Sequence, residues 1–190
     1  MAETNENTGS CCPPGALGYL EPEPNTEGTT IDLGDGCEFY QTGDASQTTA
    51  IIIFPDVWGW NSGRVRACAD SFSKYGARCY IPKVQPPFEG GTDGDGLPPA
   101  FSIPERLEEF MTWVKSITWD SFSQKVERLI VYAKEQGATK FGLVGNCWGG
   151  WASFKTSAIS NDFTAGVIFH PSCQLEGAHG GDVNALCGAV

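Results

Sequence analysis

The sequence predicts an α/β protein, a three-layer sandwich built on a mostly parallel sheet. Three observations predict it. Residues 49–54, 77–81, 140–145 and 164–169 are short apolar runs with the length and composition of buried strands. Amphipathic stretches of helical spacing lie between them. Strands that alternate with helices close a parallel sheet through right-handed crossovers. A chain of 190 residues, 41% hydrophobic and 18% charged, is long enough for one domain with a sizeable core.

Residues 1–28, rich in Pro, Gly, Glu and Asn and without periodicity, read as an extended or disordered lead-in to a domain at 29–190. Residues 29–33 and 37–41 flank Gly34-Asp35-Gly36, a hairpin signal. The run at 49–54 has no polar alternation, as befits a central parallel strand. Residues 64–75 place Val65, Ala69 and Phe72 on one helical side and stop at Gly76. A second buried strand follows at 77–81. Residues 82–104 form a long Pro/Gly loop, of the kind that serves function or moves. A helix starts at Pro104 and runs to about 115, with proline in its first turn. Residues 122–136 carry Val126, Leu129, Ile130 and Ala133 on one face and end at Gly137. The strand at 140–145 leads into a glycine-rich turn and a helix at 151–159. The strand at 164–169 ends in His170-Pro171-Ser172.

The formal charge of −11 argues against nucleic acid or an anionic membrane as partner. No run reaches membrane-spanning length, and the acidic, polar start does not read as a secretory or transit peptide, so the expected location is cytoplasmic. Eight cysteines do not follow a CxxC metal pattern, and neither a metal nor another cofactor is expected. Cys11-Cys12 is the only close pair, and neighbours in sequence bridge only with strain. Cys68 and Cys79 read as small core residues.

The most telling segment is Gly145-Asn146-Cys147-Trp148-Gly149-Gly150, placed directly after the strand Phe141-Gly142-Leu143-Val144. A strand that ends in Gly-x-nucleophile-x-Gly and turns into a helix is the nucleophile elbow of α/β-hydrolases, so the sandwich is expected to be α/β-hydrolase-like. The nucleophile position holds cysteine. Glycines flank it because a strained turn leaves no room for a Cβ. At a helix N-terminus, partial positive charge and free N–H groups favour a thiolate and can hold an oxyanion. The other reading of these residues is a buried cysteine in a glycine-rich turn with no chemistry.

A second segment, Pro55-Asp56-Val57-Trp58-Gly59-Trp60, follows the strand at 49–54. Ligands bind at the carboxyl ends of strands in open α/β sheets, so this loop and the Cys147 turn can converge. By the logic of the elbow, the amides of Val57 and Trp148 are the oxyanion donors. Asp56 is either a site carboxylate or a turn and N-cap residue before the helix at 64. Trp58, Trp60, Trp148 and Trp151 fit an apolar pocket wall or core packing equally well.

Taken together, Pro55–Trp60, residues 64–70, Gly145–Gly150 and His170-Pro171-Ser172 resemble the dienelactone hydrolase (carboxymethylenebutenolidase-like) family. Cys11-Cys12-Pro13-Pro14-Gly15 resembles the start of its eukaryotic members, so the likeness runs over about residues 11–190. The resemblance implies an α/β-hydrolase fold and hydrolysis of a small ester or lactone through a Cys-His-Asp triad. Cys147 matches the nucleophile. Asp56 falls where family members place a glutamate that contacts the thiol, and it is one methylene shorter. Val57 and Trp148 match the oxyanion positions. Family arginines bind a substrate carboxylate, and Arg106 is the candidate by position.

The resemblance places the triad aspartate and histidine well downstream of the nucleophile, past Val190. The expectation is therefore a C-terminally truncated domain lacking the last strands and helices. His170 reads as a structural histidine at a strand end. His179 lies in the glycine-rich stretch 177–181, where mobility is expected to deny it the fixed geometry of a base. Truncation is expected to expose the edge of the strand at 164–169 and to favour self-association. Three functional readings stand: a cysteine-dependent ester or lactone hydrolase, an inactive paralogue that binds or regulates, and a thiol redox sensor at Cys147.

Overall fold

The computed structural model describes residues 20–190. The Cys11–Gly15 segment and most of the lead-in lie outside the described residues. Six strands form one sheet: β1 (Thr29–Asp32), β2 (Glu38–Thr42), β3 (Thr49–Phe54), β4 (Arg78–Pro82), β5 (Lys140–Asn146) and β6 (Phe163–Phe169), in the order β1-β2-β4-β3-β5-β6. β1 and β2 form the expected hairpin, and β2 pairs antiparallel with β4. The β4-β3-β5-β6 portion is parallel.

Side chains alternate across β3. Ala50, Ile52 and Phe54 enter the main core, whereas Ile51 and Ile53 pack with the smaller cluster on the other face. The smaller cluster is roofed by α1 (Val65–Ser73), with Ala69 buried against Cys79 and Ile81. The main core takes Trp113 and Val114 from α2 (Leu107–Ser116), Phe122, Val126 and Leu129 from α3 (Trp119–Glu135), and Trp148, Trp151 and Ala152 from α4 (Trp148–Ile159). Two short helices follow β6: α5 (Gln174–Ala178) and α6 (Val183–Gly188).

Three boundaries differ from the sequence expectation. α2 starts at Leu107, because Arg106 takes a non-helical φ of −123° after the turn that Pro104 opens. α3 starts at Trp119, where an extended Thr118 ends the preceding turn. α4 starts at Trp148, directly after Cys147, since Gly149 and Gly150 allow the first turn to sit against the sheet. The helices α5 and α6 lie where the sequence offered only a glycine-rich stretch; Asp182 caps α6 by accepting from the amides of Asn184 and Ala185. Cys79 is buried as expected, but Cys68 is exposed.

The long loop after β4 is folded onto the sheet end. Phe88 N donates to Gly96 O at 2.9 Å, Thr92 N to Asp95 O at 2.8 Å, and Leu97 N to Val57 O at 3.0 Å. The described part of the lead-in crosses α1: Glu27 N donates to Asp70 Oδ2 at 2.9 Å, and Gly63 N to Leu20 O at 2.9 Å. β6 has no further strand beside it among the described residues, and Val167 and Phe169 on it are 53% and 56% exposed. No helix among the described residues is long and apolar enough to cross a membrane.

Candidate active site

Cys147 stands at the junction of β5 and α4 with φ 55° and ψ −116°. That region is sparsely populated for a residue with a side chain, and the surrounding packing holds it there. A Cβ on Gly145 would run into Gly149 O and Ser153 Oγ, and one on Gly149 into the carbonyl oxygens of Phe54 and Pro55. A Cβ on Gly150 would come within 2.8 Å of Pro171. The first turn of α4 is therefore wedged between the end of β3 and the segment after β6. Trp148, the first helical residue, has an amide with no intrahelical acceptor by position, and it points from the positive end of the helix.

Sheet register brings the two sequence segments together. Phe54 pairs with Gly145, and Asn146 with Phe169. Asp56 and Val57 therefore leave β3 at the level where Cys147 leaves β5, one strand spacing away. On the other side, Cys147 N donates to Phe169 O at 3.0 Å and Ser172 N donates to Cys147 O at 3.0 Å. Ser172 Oγ lies 3.5 Å from Cys147 Sγ. In the sequence, the only mark of this hydroxyl is the His-Pro-Ser segment at a strand end.

The carboxyl of Asp56 accepts from Trp58 N at 2.9 Å, a side-chain turn that shapes the loop, while its carbonyl accepts from Gln85 Nε2 at 2.8 Å. Burial pushes its pKa up to about 6, against the lowering effect of the Trp58 N–H. Of the two readings left open by the sequence, the turn carboxylate is the one these contacts describe, at the level of Cys147 in the sheet register. Val57 is buried, and its carbonyl is held by Leu97.

Trp58, Trp60 and Arg106 are each engaged by neighbouring side chains. Trp58 packs in the main core and is 6% exposed. Trp60 is 1% exposed in the α1-side cluster. Its ring lies under Arg66 and Lys83, 4.4 and 5.0 Å from the charged groups, and its Nε1 donates to Asp93 O. Both rings are engaged in packing, the alternative that the sequence left open. Arg106 makes paired hydrogen bonds to the carboxylates of Glu89 and Glu109 at 2.7–3.0 Å and lies over Phe88 and Phe101. Its guanidinium is matched by these two carboxylates.

Asp95 was not singled out by the sequence, and it is fully buried. Its Oδ2 accepts from Trp60 N at 3.0 Å, and Oδ1 has no partner among the described residues. Burial pushes its pKa up to about 7, with the amides of Trp60 and Gln85 and the more distant Lys83 and Lys125 opposing. Gly59 and Gly96 approach the backbone here with no space for a Cβ. No local pattern marks Asp95, since its partner is 35 residues away. The ring of His179 lies against Trp151, centroids 5.0 Å apart, and its Nε2 is 3.1 Å from Lys115 O. His170 is exposed, with φ 50°, at the end of β6.

A sheet order of this kind, with a strained, glycine-flanked turn at the carboxyl end of a central strand, is that of an α/β-hydrolase fold. The profile of the dienelactone hydrolase family matches residues 38–185, and the chain belongs to that family. It is 30% identical over 122 residues to the human carboxymethylenebutenolidase homolog, an alignment covering 62% of this chain and 44% of that one. The Xenopus tropicalis carboxymethylenebutenolidase homolog is 24% identical over 130 residues, covering 66% and 48%. The chain thus spans about half the length of the curated relatives it matches. Among solved structures, a candidate dienelactone hydrolase from Klebsiella pneumoniae aligns with a TM-score of 0.57 at 18% identity, covering 76% of this chain and 59% of that one. A dienelactone hydrolase-like promiscuous phosphotriesterase from metagenomic libraries aligns with a TM-score of 0.56 at 16% identity and the same coverage. At those identities the likeness is one of fold.

Proposed function

We propose that the chain carries the nucleophile and oxyanion half of a site that hydrolyses a small ester or lactone. The observation that supports this most is the conformation of Cys147: strained, flanked by glycines that cannot be replaced, and set at the N-terminus of α4. In this reading the Cys147 sulfur, as thiolate, attacks the acyl carbonyl carbon. The carbonyl electron pair moves onto oxygen, which the amides of Val57 and Trp148 hold. Collapse expels the alcohol oxygen, which takes up a proton, and leaves a thioester that water hydrolyses. The resemblance assigns the proton transfers to a histidine steadied by an aspartate. Asp56, with its pKa near 6, sits at the right level to influence the thiol proton. Ser172, 3.5 Å from the sulfur, is a further hydrogen-bonding group at the nucleophile.

The test is acylation by p-nitrophenyl acetate, followed by mass mapping. Acetyl is expected on Cys147, faster than on the exposed Cys68, and Cys147→Ala abolishes it. Labelling of Cys147 no faster than of Cys68 overturns the reading. One acylation without continued release of p-nitrophenol supports acyl transfer and overturns turnover, leaving a protein that binds and does not hydrolyse.

A further inference from the structure

The long loop after β4 grips the segment 56–60 one peptide at a time. β3 and β4 are parallel neighbours, so the residues just past their carboxyl ends lie about one strand spacing apart. Gln85 Nε2 donates to Asp56 O at 2.8 Å, Leu97 N donates to Val57 O at 3.0 Å, and Asp95 Oδ2 accepts from Trp60 N at 3.0 Å. Within the segment, Trp58 N donates to the Asp56 carboxyl at 2.9 Å and Gly59 N to Asp56 O at 3.3 Å. The amides of Trp58, Gly59 and Trp60 are thus all used. The amide of Val57 donates to no acceptor among the described residues.

We propose that Gln85 is the positioning residue of the oxyanion site, because it fixes the peptide plane that carries the Val57 N–H. This rests on the reading of Val57 as an oxyanion donor given above. The carbonyl of Asp56 and the N–H of Val57 belong to one peptide unit. That unit is trans, so the two groups point in opposite directions from one rigid plane. A donor placed on Asp56 O therefore sets where the Val57 N–H points. Asp56 O can only accept, so the amide nitrogen of Gln85 is the end that faces it. Gln85 is 4% exposed, which keeps water from taking its place. The bond also draws electron density towards Asp56 O, and the N–H at the other end of the same peptide becomes a stronger donor. Charge that builds on the substrate oxygen then meets an N–H already aimed, with no reorganisation at the moment of reaction. No local pattern marks Gln85, since its partner is 29 residues away.

The test compares two reactions at one sulfur. Acylation of Cys147 by p-nitrophenyl acetate passes through an oxyanion. Alkylation by iodoacetamide displaces iodide at a saturated carbon and does not. Both rates are read on the full chain by mass mapping at Cys147. Gln85→Met keeps the length of the side chain and removes the donor. It is expected to slow acylation about tenfold or more, while alkylation stays within about twofold. A general loosening of the site, or a change in the acidity of the thiol, moves both rates together. Gln85→Glu is the second variant, and it remains informative if the methionine chain does not fold. Its carboxylate can only accept, whereas its protonated carboxyl donates to Asp56 O. The ratio of acylation to alkylation is therefore expected to be low at high pH and to climb towards the parent's as pH falls. Asp56, Asp95, Glu38, Lys83 and Lys125 surround Gln85 in both chains, so the parent's ratio at each pH is the reference. A ratio equal to the parent's in Gln85→Met, or in Gln85→Glu at every pH, overturns the role of Gln85. A parent whose Cys147 acylates no faster than the exposed Cys68 overturns the hydrolase reading, and the role of Gln85 falls with it.

Discussion

The backbone of Gly149 lies directly against the carbonyl oxygen of Phe54, so closely that a Cβ on Gly149 has no space. This contact joins the start of α4 to the end of β3, and so sets the Cys147 turn beside the loop that carries Asp56 and Val57. Gly149→Ala is expected to destabilise the fold by about 2–4 kcal/mol, outweighing the roughly 1 kcal/mol by which alanine favours a helix interior. Urea unfolding measures it. A variant as stable as the parent contradicts the packing described here.

Buried Asp95 makes stability depend on pH in a defined direction. Its folded pKa, about 7, lies above the ordinary 3.8. Between those values the native chain binds more protons than the unfolded one, so this residue's contribution to stability falls as pH rises from about 4 to about 7 and is flat above. The full shift corresponds to something on the order of 4 kcal/mol. Carboxylates with lowered pKa values, such as Asp162 and Glu89, oppose that slope, so the difference between parent and Asp95→Asn is the quantity to follow. The variant is expected to lose the falling component across pH 4–7. Parallel curves for the two proteins, in thermal melts over that range, refute the assignment.

Arg106 is held by Glu89 and Glu109 and turned over two phenylalanines. Arg106→Ala is expected to leave the ratio of acylation rates for a carboxylate-bearing ester and a neutral one within about twofold. A selective loss of the charged ester by tenfold or more returns Arg106 to the substrate site.

The open edge at β6 carries exposed Val167 and Phe169. Unpaired strand edges with apolar side chains pair with other chains. The described chain is therefore expected to self-associate, and Val167→Lys to shift it towards monomer. Sedimentation velocity over a concentration series reads this directly. A parent that stays monomeric throughout removes the edge as an interface.

Asp56 ties its own loop through Trp58 N, and burial sets its pKa near 6. Asp56→Asn keeps an oxygen for that amide and removes the charge. It is expected to leave stability at pH 7 nearly unchanged or slightly raised, while the pH profile of Cys147 alkylation loses its inflection near 6. An unaltered profile shows that Asp56 only shapes the loop.

The sequence alone determined the strands, their order of alternation with helices, and the glycine-flanked turn at Cys147. Each of these is written in local spacing: apolar runs at 49–54 and 140–145, the 3.6-residue pattern of Val126, Leu129, Ile130 and Ala133, and glycines at fixed offsets around Cys147. Sequence also placed Asp56 at a strand end, and sheet register then set it at the level of Cys147. Only the tertiary structure decided which side chains are free. Trp60 is covered by Arg66 and Lys83, Arg106 is matched by Glu89, and Asp95 is held by Trp60 across 35 residues. The same is true of α5 and α6, whose short apolar faces give no periodic signal and depend on Leu175 and Leu186 reaching a core built by earlier elements. Local pattern reports backbone preference and which face is apolar. Burial and charge pairing arise from contacts between distant segments, and those exist only once the sheet has closed.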